Sequence, residues 1–229
     1  MRSQLFVFTG VIFLMFGGGK NQFAAGQGTA DQNPVVRFTF DDLNSGVLPA
    51  GWQVEATNRR GPLATWKVVK DSSAPSGNKV LSLVKVNHTF GGTFNLCWTN
   101  RVQFLNGRIA VKFKANSGLE DQGGGVIWRV RDKDNYYISR YNPLENNFRI
   151  YYVKDGARRM LASAQVKLPA HQWHELKITM SGNQMAGYLN GKKLLEVKDR
   201  TFRQGGGVGL WTKADAATSF DNFEIYLRK

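Results

Sequence analysis

The chain has 229 residues, with 31 Lys and Arg against 17 Asp and Glu and a formal charge of +14 at pH 7. The basic residues are dispersed along many segments and match no nucleic-acid-binding motif, which argues against a nucleic acid partner. A basic excess of this kind favours anionic polysaccharide, envelope or lipid headgroups as long-range partners. Cys97 is the sole cysteine, so no internal disulfide exists; set between Leu96 and Trp98, it reads as a small buried apolar residue.

Met1 and Arg2 give a short basic start. An apolar run follows from Leu5 to Phe16, interrupted only by Thr9 and Gly10, and then small residues with Ala24, Ala25 or Ala30 as cleavage points. This is the pattern of a secretory signal peptide, too short for a comfortable membrane span. The expected layout is a signal peptide and short linker over residues 1–30 and one domain over residues 31–229. That domain is expected to be exported, secreted or periplasmic, with no transmembrane segment in the mature chain.

Beyond residue 31 the apolar pattern has a period of two, the mark of strands. Strand signals fall at RFTF (37–40), WKVVK (66–70), KVLSLV (79–84), FNLCW (94–98) and RIAVKFKA (108–115). They continue at HELKITM (174–180), MAGYLN (185–190), KKLLEV (192–197), GVGLWT (207–212) and FDNFEIYL (220–227). Ile109, Val111 and Phe113 alternate with Arg108, Lys112 and Lys114. Phe223, Ile225 and Leu227 alternate with Asn222, Glu224 and Tyr226. Asn190-Gly191 is a type I′ hairpin signal. No helical period is sustained anywhere, so the predicted fold is an all-β sandwich or barrel.

The stretch from Gly123 to Tyr152 predicts three consecutive strands. A turn at Lys133-Asp134 pairs Arg131 with Tyr136 and Arg129 with Ile138. A second turn, Pro143 to Asn146, pairs Tyr141 with Phe148 and Arg140 with Arg149. Side chains alternate between the faces of a sheet. One face then carries Trp128, Val130, Tyr137, Tyr141, Phe148, Ile150 and Tyr152, a core face. The other carries Arg129, Arg131, Tyr136, Arg140, Arg149 and Tyr151, guanidinium and phenol groups suited to a hydroxylated or anionic ligand.

The segments FDDLNSGVLPAGW, NYYISRYNPLENNFRIYYVKDGARRMLA and VGLWTKADAATSFDNFEIY resemble a family of exported bacterial proteins described as 3-keto-disaccharide hydrolase domains and related to glycoside hydrolase family 16. The resemblance runs from about Val36 to Leu227. It implies a concanavalin A-like jelly-roll sandwich of two antiparallel sheets, with carbohydrate bound on or beside the concave one. It also implies a glycan-cleaving enzyme, hydrolase or lyase, as the alternative to a binding domain. The Glu-x-Asp-x-(x)-Glu motif of family 16 is absent, so retaining hydrolysis by two paired carboxylates is not expected.

Within that frame, Arg129, Arg131, Tyr136, Arg140, Arg149 and Tyr151 are the expected ligand contacts. Trp211 is the expected exposed stacking platform, with Trp98 second. Bidentate arginines favour uronate, sulfate or vicinal hydroxyls, hence a carbohydrate partner and in particular an anionic polysaccharide. For a cleaving enzyme, Tyr136 or Tyr151 activated by arginine neighbours is expected to outweigh any carboxylate pair. Glu120, Asp121 and Glu145 fall near the strand ends. Jelly rolls of this kind also hold calcium where first and last strands meet, which makes Asp41 or Asp42 with Asp221 the candidate ligands of a structural ion.

Overall fold

The computed structural model describes residues 36–87 and 90–228. The signal peptide expected over residues 1–30 therefore lies outside the described residues. Strands are numbered in chain order. One sheet contains β1 (Val36–Phe38), β3 (Thr65–Lys70), β4 (Lys79–Lys85), β6 (Gly107–Ser117), β11 (Trp173–Ser181), β12 (Gln184–Leu189), β13 (Lys192–Lys198) and β15 (Ala217–Leu227). Its order is β13-β12-β11-β6-β15-β4-β3, with β1 also paired to β15. The other contains β2 (Trp52–Thr57), β5 (Phe94–Phe104), β7 (Gly124–Asp132), β8 (Asn135–Asn142), β9 (Asn147–Lys154), β10 (Ala157–Gln165) and β14 (Gly206–Lys213), in the order β10-β9-β8-β7-β14-β5-β2.

Neighbouring strands are antiparallel throughout. The architecture is the expected jelly-roll sandwich. The two strands that no alternation signalled, β2 and β10, are the outer strands of the second sheet. An edge strand is bonded on one side only, and its side chains need not alternate cleanly between core and water. Asn190 and Gly191 both take positive φ, 46° and 80°, as the type I′ turn requires.

The core lies between the sheets. Trp66, Val68, Leu81, Ile109, Val111, Phe113, Phe220 and Phe223 come from one side, and Trp128, Tyr137, Tyr141, Phe148, Ile150 and Leu210 from the other. Each such side chain contributes about 1.5–3 kcal/mol by leaving water. Cys97 is buried in this layer, and burial pushes its thiol far above the usual range, so it is inert packing. Among the described residues no helix is long and apolar enough to cross a membrane.

The second turn has the predicted register, Tyr141 opposite Phe148 and Arg140 opposite Arg149. The first does not. Asp132 pairs with Asn135 and Trp128 with Tyr137, and the register shifts between them. Arg129 sits in this bulge with φ 48°. A bulge places two successive residues toward one face. Val130 consequently joins a cluster on the outer face of the second sheet, whereas Trp128 stays in the core.

Candidate functional site

The outer face of the second sheet, turned away from the first, is lined by aromatic and aliphatic side chains. Phe94, Leu96 and Trp98 of β5, Ile127 and Val130 of β7, Tyr136 and Ile138 of β8, Tyr151 and Val153 of β9 and Trp211 of β14 form one buried cluster there. Sheets that show one face to water normally carry polar side chains on it. Gly207 and Gly209 let Trp98 lie across β14: a Cβ on Gly209 would come within 2.4 Å of the Trp98 Cβ.

The polar atoms of this floor are held internally. Trp211 Nε1–H donates to Tyr136 Oη at 3.3 Å. Tyr136 Oη lies 2.9 Å from Thr57 Oγ1, which donates in turn to the Lys133 carbonyl. With Tyr136 donating to Thr57, all three protons are used in one direction. Burial pushes the Tyr136 phenol well above its usual range, outweighing the Thr57 and Trp211 hydrogen bonds and the Arg158 charge. The Tyr136 hydroxyl thus links Trp211 to Thr57, and burial opposes the lowered phenol pKa expected from arginine neighbours. Trp211 is 0 % exposed and Trp98 5 %, so neither is an exposed platform. Trp98 donates to Glu55 Oε2 at 2.8 Å.

Arg158 crosses this floor. Its guanidinium carbon stands 4.5 Å from the Tyr151 ring centroid, 5.0 Å from Phe94 and 6.0 Å from Trp211. Its Nη1 is buried with no hydrogen-bond partner among the described residues. A cation so placed is held by the negative faces of the rings around it. Sequence reasoning passed over Arg158. The Asp155-Gly156 turn held the signal, because counting across it sets Arg158 opposite Val153, on the Tyr151 face.

One rim of the floor is charged. Arg140, buried, donates to Asn147 Oδ1 at 2.7 Å, Glu145 Oε2 at 2.8 Å and Tyr151 Oη at 3.2 Å. Arg149 also donates to Tyr151 Oη, at 3.2 Å, and to Glu145, at 3.3 Å. Partial burial would raise the Glu145 pKa, but the Arg140 and Asn147 hydrogen bonds and both arginine charges bring it down to about 2. Asp121 faces the same group. Its carboxylate accepts from Asn142 Nδ2 at 2.9 Å and lies 3.1 Å from Lys213 Nζ. Burial pushes its pKa up against the lowering by Arg140 and Lys213. Asp121 is held by Asp215, whose carboxylate accepts the successive N–H groups of Leu119, Glu120 and Asp121 at 2.6, 3.1 and 3.0 Å. Partial burial pushes the Asp215 carboxyl up, but those backbone bonds outweigh it and hold it below its usual range.

The expected ligand set is therefore divided. Arg140, Arg149, Tyr136 and Tyr151 share the outer face. Arg129 and Arg131 do not join them, because the bulge turns both toward Phe202 of the inter-sheet core. Sequence reasoning missed Arg158, Lys213, Asp215, Asn142 and Asn147.

The calcium candidates have other roles. Asp41 Oδ1 accepts the N–H groups of Asn78 and Lys79 at 2.9 and 3.1 Å. Asp221 accepts Ser76 N at 3.0 Å, Ser76 Oγ and the Asn222 N–H. The Lys79 ammonium bonds the Asp41 and Leu43 carbonyls at 2.7 and 2.8 Å. Asp42 is exposed. Among the described residues no three His, Cys, Asp or Glu gather at one point. This donor set does not fit a calcium ion: a protein cation takes the carbonyls and N–H groups take the carboxylates.

The family profile described as a 3-keto-alpha-glucoside-1,2-lyase-like domain matches residues 39–226. No curated protein matches the sequence. Among solved structures, the carbohydrate binding module CBM66 from Bacillus subtilis aligns at 18 % identity and TM-score 0.57, over 76 % of this chain and 93 % of that one. A Bacillus licheniformis beta-glucanase aligns at 11 % identity and TM-score 0.58, over 85 % and 98 %. A non-specific endo-beta-1,3(4)-glucanase of family GH16 aligns at 11 % identity and TM-score 0.58, over 86 % and 91 %. At such identities the likeness is one of fold.

Proposed function

The chain belongs to the 3-keto-alpha-glucoside-1,2-lyase-like domain family, and from that premise we propose that it acts on carbohydrate, cleaving a 3-keto-glucoside by elimination on the outer face of its second sheet. The observation that carries this reading is Asp121, a buried carboxylate with a raised pKa, beside Lys213 and Arg140 at the rim of an aromatic floor. A carboxylate raised toward the working pH is a stronger base than one in water.

The chemistry needs a base and a cation. A ketone at C3 makes the C2 hydrogen acidic, because the electron pair left behind delocalises onto the C3 oxygen. In the proposed step Asp121 takes the C2 proton, that pair becomes the C1=C2 bond and the C1–O bond breaks. The departing oxygen is then protonated. The products are a 1,2-unsaturated 3-keto sugar and an alcohol, and no oxidant is consumed. Arg158, over the aromatic floor, and Lys213 supply positive charge for the developing enolate. The apolar floor keeps water from weakening that attraction. The exported location read from residues 1–30 accords with an extracellular glycoside as substrate.

The test is turnover of a methyl 3-keto-α-glucoside followed by absorbance and proton NMR. The expected result is methanol release with a C1=C2 product, lost in Asp121→Asn. New reducing ends without an unsaturated product would replace elimination by hydrolysis. Saturable binding without turnover would reduce the protein to a sugar-binding domain.

A further inference from the structure

A recess lies at the end of the sandwich where the β5–β6, β11–β12 and β13–β14 connections meet. Its volume is about 410 Å³ and Leu105, Asn106, Arg129, Asp199, Arg200 and Arg203 are among its lining residues, a size typical of small-ligand sites. Its inner wall is Arg129, 2 % exposed. The guanidinium donates to the Leu105 carbonyl from Nε at 3.0 Å and Nη2 at 2.7 Å, to Gly182 O from Nη2 at 2.9 Å and to Phe202 O from Nη1 at 2.6 Å.

Those bonds tie the three connections together, which explains why an arginine stands in the bulge. They use four of the five N–H groups of a guanidinium and leave one on Nη1. They also leave its charge uncompensated. No carboxylate among the described residues bonds Arg129. The carboxylate in the wall, Asp199, instead accepts the Tyr137 hydroxyl at 2.5 Å and the Thr201 N–H at 2.7 Å. Arg200 and Arg203 stand exposed at the mouth, and Arg131 lies over the Phe202 ring at 5.2 Å. Three lining arginines against one aspartate give the recess a positive excess. A desolvated cation held only by carbonyl dipoles is stabilised further by an anion.

We propose that this recess is a second carbohydrate site, specific for a saccharide that bears a carboxylate. The carboxylate meets Arg200 and Arg203 at the mouth, with the Arg129 charge behind them. The sugar hydroxyls face Asn106, Asn183 and Asp199, and the ring lies along Leu105, a large apolar side chain that is 43 % exposed. The site is separate from the Asp121 rim and does not depend on it. Its consequence is anchoring to an acidic polysaccharide by one end of the sandwich, away from the Asp121 rim.

The test is calorimetric titration of the mature protein with a glucuronate-containing disaccharide, its neutral counterpart and inorganic sulfate, at low and high salt. Saturable, salt-sensitive binding of the acidic disaccharide alone is expected. It should weaken about tenfold or more in Arg200→Ser/Arg203→Ser, the scale of one charge-assisted hydrogen bond. Both substitutions are at exposed residues, so folding is retained, whereas Arg129 itself also holds the connections. Turnover of the 3-keto-glucoside should be unchanged in that variant, which separates this site from the first. Failure of the acidic disaccharide to bind, binding unaffected by the double substitution, or sulfate binding equally tightly would each overturn the proposal.

Discussion

Arg129 and Arg140 extend from opposite faces of the same sheet. Arg140 reaches the Tyr151 hydroxyl on the outer face, and Arg129 reaches the Gly182 carbonyl of a first-sheet turn. One bulge between Trp128 and Asp132 separates them. It turns what reads in sequence as one arginine surface into two, at different ends of the fold.

Phe148 is fully buried between the sheets and its ring meets Gly187, where a Cβ would come within 2.9 Å of it. Phe148→Ala should lower stability by about 3–5 kcal/mol. A denaturant melt showing a loss below about 1 kcal/mol would place the ring outside the core.

Tyr136→Phe removes the link between Trp211 and Thr57. Two buried polar groups lose a partner, a cost of about 1–3 kcal/mol. The rate on a 3-keto-glucoside should be retained, since that hydroxyl is committed to the fold. A variant with native stability but no turnover would return Tyr136 to the chemistry.

Glu145 titrates at about 2 in the folded protein against a reference of 4.5. A lowered carboxylate pKa contributes stability above the unfolded value, and that contribution is lost as pH falls through the folded one. The wild-type protein should therefore lose stability between about pH 4.5 and 2, and Glu145→Gln should flatten that part of the profile. The carboxylate is half exposed, so at pH 7 the change should stay within about 1 kcal/mol. Thermal melts across that pH range showing identical slopes for both proteins would contradict the assignment.

Asp121 has the opposite sign. Its folded pKa is raised by burial, so its share of stability is fully present below the unfolded value of 3.8 and is lost as pH rises through the folded value. Asp121→Asn should raise the melting temperature at pH 7, with the gain shrinking toward acid pH. Turnover should fall about a hundredfold or more, the usual worth of a general base. A lower melting temperature at pH 7 would mean that the Lys213 bridge outweighs desolvation.

The fold class and most of the strands are legible in the chain's own pattern. An alternating pattern survives wherever one face of a strand is buried between sheets, as with Ile109, Val111 and Phe113, all at most 1 % exposed. Also legible is the second central turn, because Pro143 to Asn146 fixes both the loop length and the pairing beyond it. Other features depend on contacts between strands far apart in the chain. No local signal marks the bulge at Arg129, since its stabilisation comes from carbonyls of three connections distant in sequence. Trp211 looks like a platform in its own strand, yet it is sealed by Phe94, Tyr136 and Arg158, which arrive from other strands. Asp121 reads as loop polarity until Asp215, Asn142 and Lys213 converge on it. Periodicity reports which face is buried, but the chemistry of a face depends on which distant strands the hydrogen-bond register sets beside it.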